Sequence, residues 1–129
     1  MSVKKKLLIV VFVMAVVIFV AGQIAVDKIE KNFQSLKNDP VEEVDLTRIG
    51  DGTYPGSYEV FPVAVELTVE VENHRIIKVD ILKHQNGQGE PAEDLADIMV
   101  EEQRIAVDDV TGATYSSLVI KKAVESALK

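Results

Sequence analysis

Three apolar rhythms divide this chain. From Leu7 to Val26 the residues are apolar almost without a break, with only Gly22 and Gln23 interrupting near the far end. At about 1.5 Å of rise per residue, such a helix reaches roughly the 30 Å of a hydrocarbon core, so residues 7–26 predict a transmembrane helix. Beyond it, Val26, Ile29, Phe33 and Leu36 recur at three- and four-residue intervals, with Asp27, Lys28, Glu30, Lys31 and Gln34 between them. That spacing carries the helix past the lipid, and Asp39-Pro40 predicts its stop. The stretch from Asn38 to about Arg48 is polar and without pattern, which makes residues 27–48 a juxtamembrane helix and linker.

The second rhythm has a period of two. Val63, Val65, Leu67, Val69 and Val71 alternate with Ala64, Glu66, Thr68, Glu70 and Glu72, the signature of a half-buried antiparallel strand. Asp51-Gly52-Thr53-Tyr54-Pro55-Gly56-Ser57-Tyr58 reads as a turn-rich entry to it. Asn73-His74 turns the chain, with His74 expected in solvent. Arg75 to Lys83 then returns with Ile77, Val79 and Ile81 on one face and Ile76 and Leu82 on the other. A plain two-residue hairpin would set Val69 opposite Lys78, so matching the apolar faces demands a three-residue loop or a bulge.

The third rhythm is helical again. After a loop over 84–91, Pro91 suits a first helical turn, with Ala92, Leu95, Ala96 and Met99 as the apolar face. Arg104 to Val107 reads as a short extended piece. Val119, Ile120, Ala123, Val124, Ala127 and Leu128 then form one side of a last helix, with Lys121, Lys122 and Glu125 facing away and Ser116 or Ser117 as the N-cap. Together these elements predict an α+β domain over 49–129: a small antiparallel sheet with helices packed on it, preceded by a single N-terminal transmembrane helix.

Charge adds an orientation. The chain carries −7; removing the +3 of Lys4, Lys5 and Lys6 leaves −10 for everything after them. Three lysines ahead of the apolar run place residues 1–6 in the cytoplasm and the domain outside, in a single-pass cell-membrane topology. A cleaved signal peptide is the competing reading, but its apolar region is usually about 7–15 residues long, and the site around Ala21-Gly22-Gln23 is weak. An acidic domain is a poor nucleic-acid binder. With no cysteine there are no disulfides or thiolate metal sites, and no metal-ligating or catalytic set stands out.

The chemistry concentrates in Asp108-Asp109-Val110-Thr111-Gly112-Ala113-Thr114-Tyr115-Ser116-Ser117. Gly112 and Ala113 remove bulk among clustered hydroxyls, and the helix that follows offers N–H groups and a positive dipole end to a phosphate. By residues alone this is a capped helix with a candidate anion site. The order Asp108-x-x-Thr111-Gly112-Ala113-Thr114, continued by Tyr115-Ser116, resembles the flavinylation motif of the FMN-binding domain family. That family includes the flavin subunits of the sodium-pumping NADH:quinone reductase and of the Rnf complex.

The resemblance implies FMN joined to Thr114 by a phosphoester bond. A separate flavin transferase makes that bond from FAD with a divalent metal, and Asp108 reads either as part of what it recognises or as an ordinary turn residue. His84-Gln85-Asn86-Gly87-Gln88-Gly89 matches the place where the family has a His and a Gly-rich segment against the flavin, which implies His84, Gly87 and Gly89 as lining residues. This chain has Gln85 and Asn86 where many members have an acidic residue and a Thr-Pro. The function implied is an electron carrier between redox proteins or a quinone, with the flavin doing the redox work. A surface-displayed assembly module without redox role is the alternative, and an FMN enzyme acting on a small substrate ranks below both.

Overall fold

The computed structural model describes residues 2–85 and 89–129, so Gly87 lies outside the described residues. Its elements are α1 (Val3–Asn38), β1 (Gly52–Val60), β2 (Val63–Glu72), β3 (Arg75–Gln85), α2 (Leu95–Glu102) and α3 (Thr114–Leu128), with short 3-10 turns at Leu46–Arg48 and Glu90–Asp94. The chain falls into two units, Met1–Asn32 and Phe33–Lys129. The first is one helix, long and apolar enough to cross a membrane, with its apolar side chains exposed along its length. The second begins within the same helix and contains everything else.

The sheet is a three-stranded antiparallel meander, β1-β2-β3. Period two in β2 does what it predicts: Val63, Val65, Leu67, Val69 and Val71 are all buried. Each such side chain contributes about 1.5–3 kcal/mol relative to exposure. Asn73 and His74 both have positive φ, 53° and 62°, in a two-residue turn of the kind that matches strand twist. The register problem is solved by bulges. Glu70 pairs with Lys78 but Val71 with Ile76, so Ile77 is the extra residue; Leu82 is extra in the same way between Ile81 and Lys83. The extra residues leave the core face, so Ile76 is buried and Ile77 exposed, the reverse of the sequence reading.

Asp51 to Tyr58 is not merely an entry. Gly52 onward is a full strand on the sheet edge, where proline is tolerated because its missing N–H faces away from the ladder. Gly56 lets α3 come close: a Cβ there would sit 2.2 Å from the carbonyl oxygen of Ala123. On the outer side of β1, Ser126 Oγ lies 3.1 Å from both Ser57 N and Ser57 O, taking up backbone groups an edge strand leaves open. The β3 edge is treated alike, since Gln103 accepts from Ile76 N at 2.8 Å and donates to Ile76 O at 2.7 Å.

Two expectations fail for the same reason. Lys121 and Lys122 do not face away but are buried, because the chain returns over that side of α3. Lys121 meets Asp109 at 2.7 Å and donates to Val107 O at 3.0 Å, while Lys122 meets Asp39 at 3.1 Å. The stretch read as a linker is part of that cover. Glu43 accepts from Ile105 N and Ala106 N, Glu42 N donates to Glu125 at 2.6 Å, and Val41, Val44 and Leu46 pack on the core. His74 belongs to the same seam: its Nδ1 lies 3.2 Å from Leu46 O and 3.1 Å from Ile49 O, so it is engaged with backbone rather than simply solvated. Asp45 accepts from the hydroxyl and N–H of Thr47, which holds its carboxyl below the ordinary carboxylate range.

Candidate functional site

The hydroxyl-rich stretch folds as a turn and a helix start. Ala113 N donates to Val110 O at 3.0 Å, closing a β-turn whose third residue, Gly112, has φ +83° and open space around it. That left-handed backbone costs a residue with a side chain and costs glycine nothing. Ala113 is the N-cap position and Thr114 the first helical residue, so α3 begins before the serines expected to cap it. Ser117 instead works from inside the first turn: its hydroxyl donates to Ala113 O at 2.8 Å and accepts from Val110 N at 3.0 Å. This fastens both ends of the Thr-Gly turn from the buried side.

Thr114 is half-buried at the helix start, while Asp108, Thr111 and Gly112 are exposed and Ala113 is buried. Asp108 and Asp109 have separate roles, since Asp109 is tied to Lys121 and Asp108 faces solvent. Beneath the first turn, Ser116 is buried with its Oγ 3.0 Å from His84 Nε2. The His84 side chain is 2% exposed, and its Nδ1 faces the Glu93 carboxylate at 3.6 Å. His84 is therefore brought to the motif, but behind Ser116 rather than as an open wall. Gly89 is buried and opens the 3-10 turn that packs against α3, with its carbonyl accepting from Ala92 N.

Tyr115 joins three parts of the domain. Its hydroxyl donates to Phe61 O, and its ring stacks on Phe33, with centroids 5.7 Å apart and planes 14° from parallel. Lys37 Nζ lies 5.2 Å from the Phe33 centroid on a helical turn further on. Sequence reasoning missed Phe33, Phe61, Glu93 and the fastening by Ser117. An aromatic at position 33, in an otherwise aliphatic and charged juxtamembrane stripe, was the one signal that could have been followed.

The arrangement suits a phosphate ester. A secondary hydroxyl stands at the positive end of a 15-residue helix, where first-turn N–H groups lack partners within the helix. The glycine ahead of it leaves room for an incoming group, and the next residue, Tyr115, is stacked on Phe33. No cluster of three or more His, Asp or Glu side chains able to hold a metal is present among the described residues. In comparison with known proteins, the family model described as the FMN-binding domain matches residues 61–129, which takes in β2, β3, α2 and α3. No curated protein and no solved structure matches.

Proposed function

The chain belongs to the FMN-binding domain family, whose model covers more than half of it, and on that premise we propose that it is a membrane-anchored flavoprotein carrying FMN covalently on Thr114 and passing electrons between redox partners. The observation that carries this is the position of Thr114: the acceptor of the motif is the first residue of α3, half-exposed, directly after the open turn at Gly112.

Attachment is a phosphoryl transfer. Thr114 Oγ attacks the FMN phosphorus of FAD, the bond to the AMP oxygen breaks, AMP departs with the electron pair, and the threonine proton passes to a base. A threonine hydroxyl is a weak nucleophile and needs activation by a base or metal. His84 is directed at Ser116 and buried, so it is not placed to take the Thr114 proton; in this reading the flavin transferase and its divalent metal supply the activation, as the family resemblance implies. This chain's part is to present the hydroxyl. Ser117 holds the turn, Lys121 holds Asp109 behind it, and Asp108 is left exposed for recognition.

Once bound, the flavin supplies the electron-accepting and electron-donating chemistry. The helix start stabilises the phosphodiester charge, and the anchor keeps the domain at the membrane, outside the cytoplasm, where a lost cofactor is not readily replaced. Electron donor and acceptor are other proteins or a quinone.

The test is co-expression with a flavin transferase, followed by intact mass of wild type and Thr114→Ala and by their flavin fluorescence in a denaturing gel, where the unfolded chain cannot quench the flavin. Wild type gains the mass of one FMN less one water and fluoresces; the variant does neither. A wild-type chain at its bare polypeptide mass, or a variant that still takes up the label, refutes the assignment.

A further inference from the structure

The domain's interior is aliphatic, and its few aromatics are not spread evenly. The chain has four Phe and three Tyr. Phe12 and Phe19 lie in the apolar run, and Tyr54 and Tyr58 lie on β1. Of the other three, Tyr115 stacks on Phe33 at the start of α3, and its hydroxyl bonds the backbone carbonyl of Phe61. None of the three is fully buried, and Phe61 is 50% exposed. Phe33 and Tyr115 are both left partly open, so their stack offers a flat apolar surface rather than a fully packed one.

We infer that the Phe33–Tyr115 stack is the surface on which the isoalloxazine ring of the Thr114-linked flavin packs, so that the last turns of α1 take part in holding the cofactor. This rests on the covalent attachment proposed above. The ribityl chain is short, and the ring must therefore settle on a surface close to Thr114 Oγ. Tyr115 is the next residue. Its ring cannot swing freely, because the hydroxyl is bonded to Phe61 O and one face is against Phe33, itself beneath the Lys37 ammonium. A platform fixed at both its hydroxyl and its ring face is already ordered before the flavin arrives, which lowers the entropic cost of docking a second ring. Phe33 reaches this place only because α1 continues to Asn38 and Leu36 is buried in the second unit.

Tyrosine next to a flavin has a direct signature. On excitation an electron passes from the phenol to the flavin ring and returns, and the emission is lost; phenylalanine cannot do this. The experiment uses the full chain, flavinylated in cells and purified in detergent. Fluorescence lifetime and visible circular dichroism of the flavin are recorded for wild type, Tyr115→Phe and Phe33→Ala, with intact mass taken on each. Lifetime is a property of each loaded molecule, so incomplete loading does not obscure it.

Wild type should show a strongly shortened lifetime. Tyr115→Phe should lengthen it severalfold with the flavin dichroism kept, and Phe33→Ala should lengthen it while reducing the dichroism. Loaded protein with the same lifetime and dichroism in all three overturns the inference and leaves the attachment standing. A wild-type mass without FMN overturns the attachment and the inference with it.

Discussion

Replacing Gly56 by alanine measures how tightly α3, and with it Thr114, is held against the sheet. A Cβ at this position falls 2.2 Å from Ala123 O, 2.7 Å from Ala127 Cβ and 3.1 Å from Ala127 N. Two of these are backbone atoms of α3, so no side-chain rotation relieves the clash. The shortest contact is roughly 1 Å inside van der Waals separation, and the helix must retreat by a similar distance. Retreat loosens Val119, Ile120, Ala123 and Val124, all fully buried, from β1 and β2.

Overpacking of this kind costs about 1–3 kcal/mol. Alanine recovers some of that, because glycine in a strand is the poorer residue by about 0.5–1 kcal/mol. A backbone clash belongs at the upper end of the range, which gives a net loss of about 2 kcal/mol. For a domain near 100 residues, each kcal/mol moves the melting temperature by about 4–8 °C, so the expected fall is about 8–16 °C. The assay is thermal unfolding of the full chain in detergent, followed in the near-ultraviolet band of its tyrosines. Gly22→Ala, at a glycine with nothing within 4 Å, is the control and should not move the transition. A Gly56→Ala melting temperature within about 2 °C of wild type would refute the packing argument.

Two further predictions concern the Thr-Gly turn and the contact between Lys129 and Glu42. Ser117→Ala removes a buried hydroxyl that serves Val110 N and Ala113 O; about 2 kcal/mol of stability should be lost, and flavinylation by the transferase should slow, whereas unchanged labelling kinetics would show that the turn holds itself. Lys129 is raised above its ordinary value of 10.5 first by its hydrogen bond to Glu42 and then by the charge of Glu125. A raised lysine stabilises the fold at every pH below the unfolded value and ceases to do so as pH climbs through the folded one. Comparing denaturant midpoints, wild type should therefore exceed Lys129→Met near neutrality and converge with it above 10.5; a difference that persists in alkali sinks this account.

Much of the fold was legible because it rests on local periodicity. The apolar run, the alternation in β2, the buried face of Ala92, Leu95, Ala96 and Met99, and the need for either a longer loop or a bulge between β2 and β3 all follow from side-chain direction in a helix or a strand. The motif was legible for a different reason: Gly112 between hydroxyls, followed by an amphipathic run, dictates a turn and a helix start whatever surrounds them.

What only the tertiary structure decided is which polar groups meet across long stretches of chain. Lys121 and Lys122 have the composition of a solvent face, and nothing near them in sequence shows that Asp109 and Asp39 will cover that face. Glu43 reads as linker until Ile105 and Ala106 come within its reach, and Phe33 reads as one apolar position in a tether until Tyr115 lies on it. Backbone periodicity is set by torsions within a few residues, so a sequence displays it directly. Ion pairs and ring stacks between distant segments depend on the path by which the chain returns, and that path is fixed only when the whole core closes.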